Sequence, residues 1–166
     1  MPKDWLESWQ PDRNQFLAGM PRSELPGASL RFEATHRAHL DLVRRMHAAG
    51  VSFLAGTDVS NWNFTVPGVS LHRELVQFVE AGFSPLEALQ TATINPAKYL
   101  AITDSAGVIA AGKRADLLVL DADPTENIAN TKRISVVVLG GSLIDRNELD
   151  GMLEGARQRA AAAPGQ

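Results

Sequence analysis

Cysteine is absent from this 166-residue chain. That excludes disulfides, thiolate zinc sites and cysteine nucleophiles, and it fits a cytoplasmic protein. Any bound metal must therefore be held by His, Asp, Glu or water. Charge of one sign is also missing: the formal net charge is -3 and the isoelectric point about 5.8, so nothing electrostatic points to nucleic acid or an anionic membrane. No apolar run approaches the roughly 18 residues that span a bilayer. The opening "MPKDWLESWQ" has no apolar stretch behind its lysine and does not read as a signal peptide. There is no internal repeat, Gly-rich phosphate loop, Gly-x-Ser-x-Gly elbow or His-Glu-x-x-His pair.

What is present is an ordinary globular composition, 45% hydrophobic and 21% charged, long enough to bury a core. Residues 1–28 hold four prolines and no sustained period, which reads as a loop-rich segment. From Ser29 to Ala49, Leu30, Leu40, Val43 and Met46 recur at helical spacing, and Gly50 stands where a C-cap glycine belongs. Val51–Ala55 follows as a short, continuously apolar strand, the β half of an α/β unit. After the loop "VSNWNFTVPG", a helix is predicted from about Ser70 to Ala81, with Leu71, Leu75, Phe78 and Val79 as its stripe and Gly82 as its stop. "SPLE" reads as a capping box with Ser84 at the N-cap and Glu87 three residues on. In "NPAKYL", Asn95 is predicted to cap and Pro96 to open a short helix. Near residue 105 the pattern turns to strands: "GVIAAGKRADLLVLD" gives a short strand, a turn and a strand over Leu117–Leu120, and "ISVVVLGGSLID" a hairpin closed by Gly140-Gly141. Lys113 and Arg114 fall in a turn as solvated charges, and residues 148–166 read as a polar helix and flexible tail.

The chemistry centres on Asp58, a carboxylate at the end of the apolar run "VSFLAGTD". In α/β proteins ligand sites gather at the carboxyl ends of strands, where a carboxylate can hold a divalent cation or accept a proton. An Asp that simply bonds to backbone N–H groups in its turn is the alternative. Asn61 and Trp62, with Asn63 and Phe64, lie on the loop leaving Asp58 and suit a pocket lid or a plain anchor to the core. His72, in the first turn of the next helix, is a candidate substrate contact. His36 and His47 share a helix azimuth but stand about 16 Å apart along the axis, too far to share one ion. His36 and His39 could share one, yet lack a further ligand.

Three stretches together resemble the C-terminal part of the amidohydrolase superfamily, in its imidazolonepropionase-like and prolidase-like branch: "AAGVSFLAGTD", "LHRELVQFVEAGFSPLEALQTATINPAKYL" and "GVIAAGKRADLLVLDADPTENIANTKRISVVVLGGSLID", covering roughly 35–147. The resemblance implies an α/β fold: the last part of a (β/α)8 TIM barrel over 29–104, with Val51–Thr57 its eighth strand, then the C-terminal strands of a small β-sandwich over 105–147. It implies that Asp58 is a metal ligand and the proton shuttle of a metal-activated water. The metal implied is a divalent ion, zinc, and the substrate a small amide-type molecule with a C–N or related bond to hydrolyse. The family's other ligands, a His-x-His pair among them, have no counterpart in this chain. The expectation is therefore a fragment, from a truncated gene, a misplaced start or a split enzyme, that does not retain the metal alone. Such a fragment would work with a complementary chain or as a homo-oligomer. A catalytically incomplete remnant serving as an interaction or oligomerisation module is the alternative. A self-sufficient hydrolase built on His36 and His39 is a third reading.

Overall fold

A computed structural model of the chain describes residues 21–59 and 65–162. A 3-10 turn at Arg22–Glu24 leads into α1, Leu25–Ala48. The helix stops as the sequence predicts. Gly50 takes a φ of +80°, its N–H bonds to the His47 carbonyl at 2.8 Å, and the Val51 N–H reaches back to Met46 O at 3.0 Å, a Schellman closure. Helix α2, Val69–Glu80, ends in the same way, with Gly82 at φ +103° and the Phe83 N–H on Phe78 O at 3.1 Å. Helix α3, Pro85–Thr91, opens on the predicted capping box: Ser84 Oγ accepts the Glu87 N–H, and the Glu87 carboxylate accepts the Ser84 N–H at 2.8 Å.

Helix α4, Ile94–Tyr99, begins one residue before Asn95, with Thr93 at the N-cap and no side-chain cap. The predicted capping role of Asn95 is therefore replaced. Its side chain instead donates to the Phe53 carbonyl at 3.0 Å, 42 residues back in the chain. α4 closes by the same Schellman pattern, but Ala101, at φ +55°, stands in the left-handed position. The chain then turns back across α4 at Gly107, where an added Cβ would come within 2.7 Å of the Ala97 side chain.

Strands β1 (Leu117–Leu120), β2 (Ile134–Leu139) and β3 (Ser142–Ile144) form an antiparallel sheet in sequential order. Leu118 faces Val137, and Val138 faces Leu143 across the Gly140-Gly141 turn, as the hairpin reading expects. A five-residue 3-10 helix, Ile128–Lys132, joins β1 to β2, and α5, Arg146–Ala162, follows. The short strand expected near residue 108 does not form, and Ile109 is 85% exposed there.

Leu75, Phe78, Ala81, Phe83, Ala88 and Ile128 make the buried core, with Phe53, Leu40 and Val43 packed against it. Phe53, Phe78 and Phe83 meet edge-on or tilted at 5.0–5.9 Å between centroids, the arrangement that ring quadrupoles favour. His47 stacks on Phe83 at 3.7 Å and places Nε2 3.6 Å from a Glu87 oxygen.

The largest departure from expectation lies at 51–59. The segment carries no strand ladder, and Val51 is 43% exposed rather than buried on both faces. A strand needs a neighbour to pair with, and among the described residues none lies beside it. Its backbone is held by helices instead.

Candidate functional site around Asp58

Three hydrogen bonds fix the segment that delivers Asp58. The Asn95 side chain donates to Phe53 O, the Ala55 N–H donates to Thr91 O at 2.9 Å, and the Gly56 N–H donates to Glu74 Oε1 at 2.9 Å. Each pin comes from a different helix of the set α2, α3 and α4, so the approach to Asp58 is braced along its length. Thr91, at the end of α3, is 1% exposed; its hydroxyl donates to Ala88 O and its carbonyl accepts the Ala55 N–H. Side chains of Phe53 and Ala55 face the core while Leu54 between them faces outward, the alternation of an extended chain.

Asp58 itself is exposed and adopts φ +46°. Asp tolerates that left-handed conformation better than most residues with a Cβ. It makes no hydrogen bond or ion pair with another described residue. The alternative of a turn carboxylate satisfied by nearby backbone N–H groups finds no such bond among the described residues.

His72 has a hydrogen-bond partner of its own. Its Nδ1 lies 3.0 Å from Thr131 Oγ1, whose own proton goes to Ile128 O at 2.8 Å. The Thr131 oxygen is thus the acceptor, and Nδ1 carries the hydrogen. Burial, and then the positive charge of Lys132, hold the His72 pKa below its ordinary value. His72 therefore ties α2 to the 3-10 helix before β2. No described side chain hydrogen-bonds to both Asp58 and His72. Asn61 and Trp62 lie outside the described residues. His36 and His39 are exposed along α1. Among the described residues no group of three or more His, Asp or Glu side chains stands close enough to hold a metal.

Two residues matter here that the sequence reading passed over. Glu74 falls on the face of α2 that carries Leu71, Leu75 and Phe78, and a charge within an apolar stripe was the available signal. Lys113, read as a solvated turn charge, donates from Nζ to Thr103 O at 2.7 Å and Asp104 O at 3.0 Å and so fastens the loop after α4. A neighbouring carboxylate, Asp116, accepts the Gly140 N–H at 2.7 Å, and that bond, followed by the Arg114 guanidinium, lowers its pKa.

Comparison with known proteins adds three findings. The model of the amidohydrolase family matches residues 16–144. A protein named as an aminohydrolase in Methanothermobacter thermautotrophicus is 34% identical over 115 residues, which is 63% of this chain and 28% of that protein. Among solved structures, a Xaa-Pro dipeptidase superposes with a TM-score of 0.57 at 33% identity, covering 64% of this chain and 25% of its own. A molinate hydrolase does so with a TM-score of 0.58 at 30% identity, covering 75% and 29%. The chain thus spans between a quarter and a third of the length of these relatives. No helix among the described residues is long and apolar enough to cross a membrane.

Proposed function

The chain belongs to the amidohydrolase family, and from that premise we propose that it forms the C-terminal part of an enzyme hydrolysing an amide, cyclic amide or related C–N bond of a small molecule. In this reading residues 29–104 are the last portion of a (β/α)8 barrel, with 51–57 its eighth strand, and 105–147 contribute to a small sandwich. The carrying observation is the extended, pinned segment that ends in an exposed carboxylate without a described partner. A strand held by helices on one side and lacking a ladder is what a barrel strand without its neighbours would look like.

Asp58 then acts on the attacking water. As the water oxygen bonds to the carbonyl carbon, its proton passes to the Asp58 carboxylate. As the C–N bond breaks, the same proton passes to the leaving nitrogen, giving an acid and an amine. Asn61, Trp62 and His72 are assigned to the substrate side. Family members generally use a divalent metal, zinc in our reading, for which Asp58 would be one ligand. The described residues alone do not fit such an ion, because no further ligand joins Asp58.

The missing ligands would come from a complementary chain or another segment of the same polypeptide. A second reading is favoured by the exposed apolar residues Leu118, Val119 and Leu143 on the small sheet: a remnant that pairs with another chain or with itself and catalyses nothing. Co-expression with the N-terminal segment of an amidohydrolase relative separates the two. Hydrolysis of an N-acyl amino acid or dipeptide panel by the complex, abolished by Asp58→Asn, is the expected result. A stable complex that hydrolyses none of the panel and binds no zinc would leave only the remnant reading.

A further inference from the structure

We propose that Glu74 is the positioning residue of the Asp58 turn. Its carboxylate spans the 18 residues between α2 and Gly56 and takes the Gly56 N–H on Oε1 at 2.9 Å. Gly56 lies two residues before Asp58, whose φ of +46° departs from the extended backbone leading to it. Fixing the Gly56 peptide plane fixes where that reversal begins, and so the direction in which the Asp58 carboxylate leaves the segment. The other two pins, at Phe53 and Ala55, act earlier in the segment and leave the turn itself unrestrained.

The second oxygen of Glu74 strengthens the assignment. Oε2 is buried and has no hydrogen-bond partner among the described residues. A buried, unpaired carboxylate oxygen is an unfavourable feature that an apolar side chain would remove. Glu74 also borders the apolar stripe of α2 and is half-buried there. The bond that this carboxylate makes among the described residues is to the Asp58 segment.

The catalytic meaning of this placement rests on the hydrolase reading, but the placement is testable without it. In the full chain, Glu74→Met keeps the helix and the packing volume and removes the acceptor, while Glu74→Gln keeps an acceptor oxygen without the charge. Amide hydrogen exchange and the three-bond HN–Hα coupling are read by NMR at Gly56, Thr57 and Asp58. The expected result is Gly56 exchange about tenfold faster in Glu74→Met, with the Asp58 coupling moving away from its wild-type value and the α2 amides unchanged. Glu74→Gln should restore both signals. Unchanged Gly56 exchange and Asp58 coupling in Glu74→Met would overturn the proposal, as would failure of Glu74→Gln to restore them. Should the signals behave as expected while the co-expressed complex hydrolyses nothing, the hydrolase reading fails and the positioning role stands.

Discussion

Two described residues other than glycine have a positive φ: Asp58 at 46° and Ala101 at 55°. They reach the same region for different reasons. Asp58 sits at the exposed end of the pinned segment, and Asp is among the residues that visit the left-handed region. Ala101 has no such dispensation. It occupies the position that Gly50 and Gly82 fill at the ends of α1 and α2, and its Cβ meets the following carbonyl at a cost of about 1–2 kcal/mol. Nothing in the structure explains why alanine stands there. Ala101→Gly relieves that strain and gives back part of it through the freer unfolded chain. The variant is expected to be more stable by about 0.5–1 kcal/mol, read as a higher urea midpoint with an unchanged slope. A lower midpoint would show that the closure of α4 is not strained.

At the scale of elements, how much could be read in advance depended on how local the determining contacts are. The ends of α1, α2 and α3 were legible because Schellman glycines and the Ser84–Glu87 box act within a few residues. The β2–β3 hairpin was legible for the same reason, through Gly140-Gly141. Val51–Ala55 was legible as extended chain but not as an unpaired one, since a ladder depends on a neighbour far away in sequence. Asn95 obeys the local capping rule in its sequence context, yet its amide is drawn to Phe53 O by a contact that no local rule contains. Asp58 was legible from its place after an apolar run, whereas Glu74 required noticing a charge within a hydrophobic stripe.

The brace between α2 and the 3-10 helix gives this scale its own test. His72 is held in its neutral form with Nδ1–H donated to Thr131, and its folded pKa lies below the ordinary value of 6.5. The unfolded chain therefore binds more protons as pH falls through that ordinary value, so stability present above it declines until the lower folded pKa is passed. The exposed carboxylates with lowered pKa values, Asp41, Glu87, Asp116 and Asp123, titrate from an ordinary range near 4 and lose their contribution in more acidic solution. Urea midpoints measured from pH 7.5 down to 5 should fall for the wild type and stay level for His72→Gln, whose amide can still donate to Thr131. A wild-type midpoint that rises with acidification would contradict the neutral, half-buried imidazole.

For the whole molecule, the relevant fact is what the folded parts leave uncovered. The core around Phe78 and Phe83 is shared by α2, α3 and the 3-10 helix, while the pinned segment and the small sheet present apolar side chains outward. Leu54 on the segment and Leu139 on the sheet are exposed at 41% and 61%. Together with the match to between a quarter and a third of each compared relative, these faces are what the proposed partial barrel and sandwich would leave open. In that proposal Asp58 would be one ligand of a centre whose remaining ligands lie elsewhere. Zinc content, measured by elemental analysis on the purified chain by itself and on its complex with an amidohydrolase N-terminal segment, tests this most directly. The expected values are well below one zinc per chain alone and about one or two per complex, the latter reduced by Asp58→Asn. One tightly held zinc in the isolated chain, lost on Asp58→Asn, would contradict the account and make this chain a metal enzyme by itself.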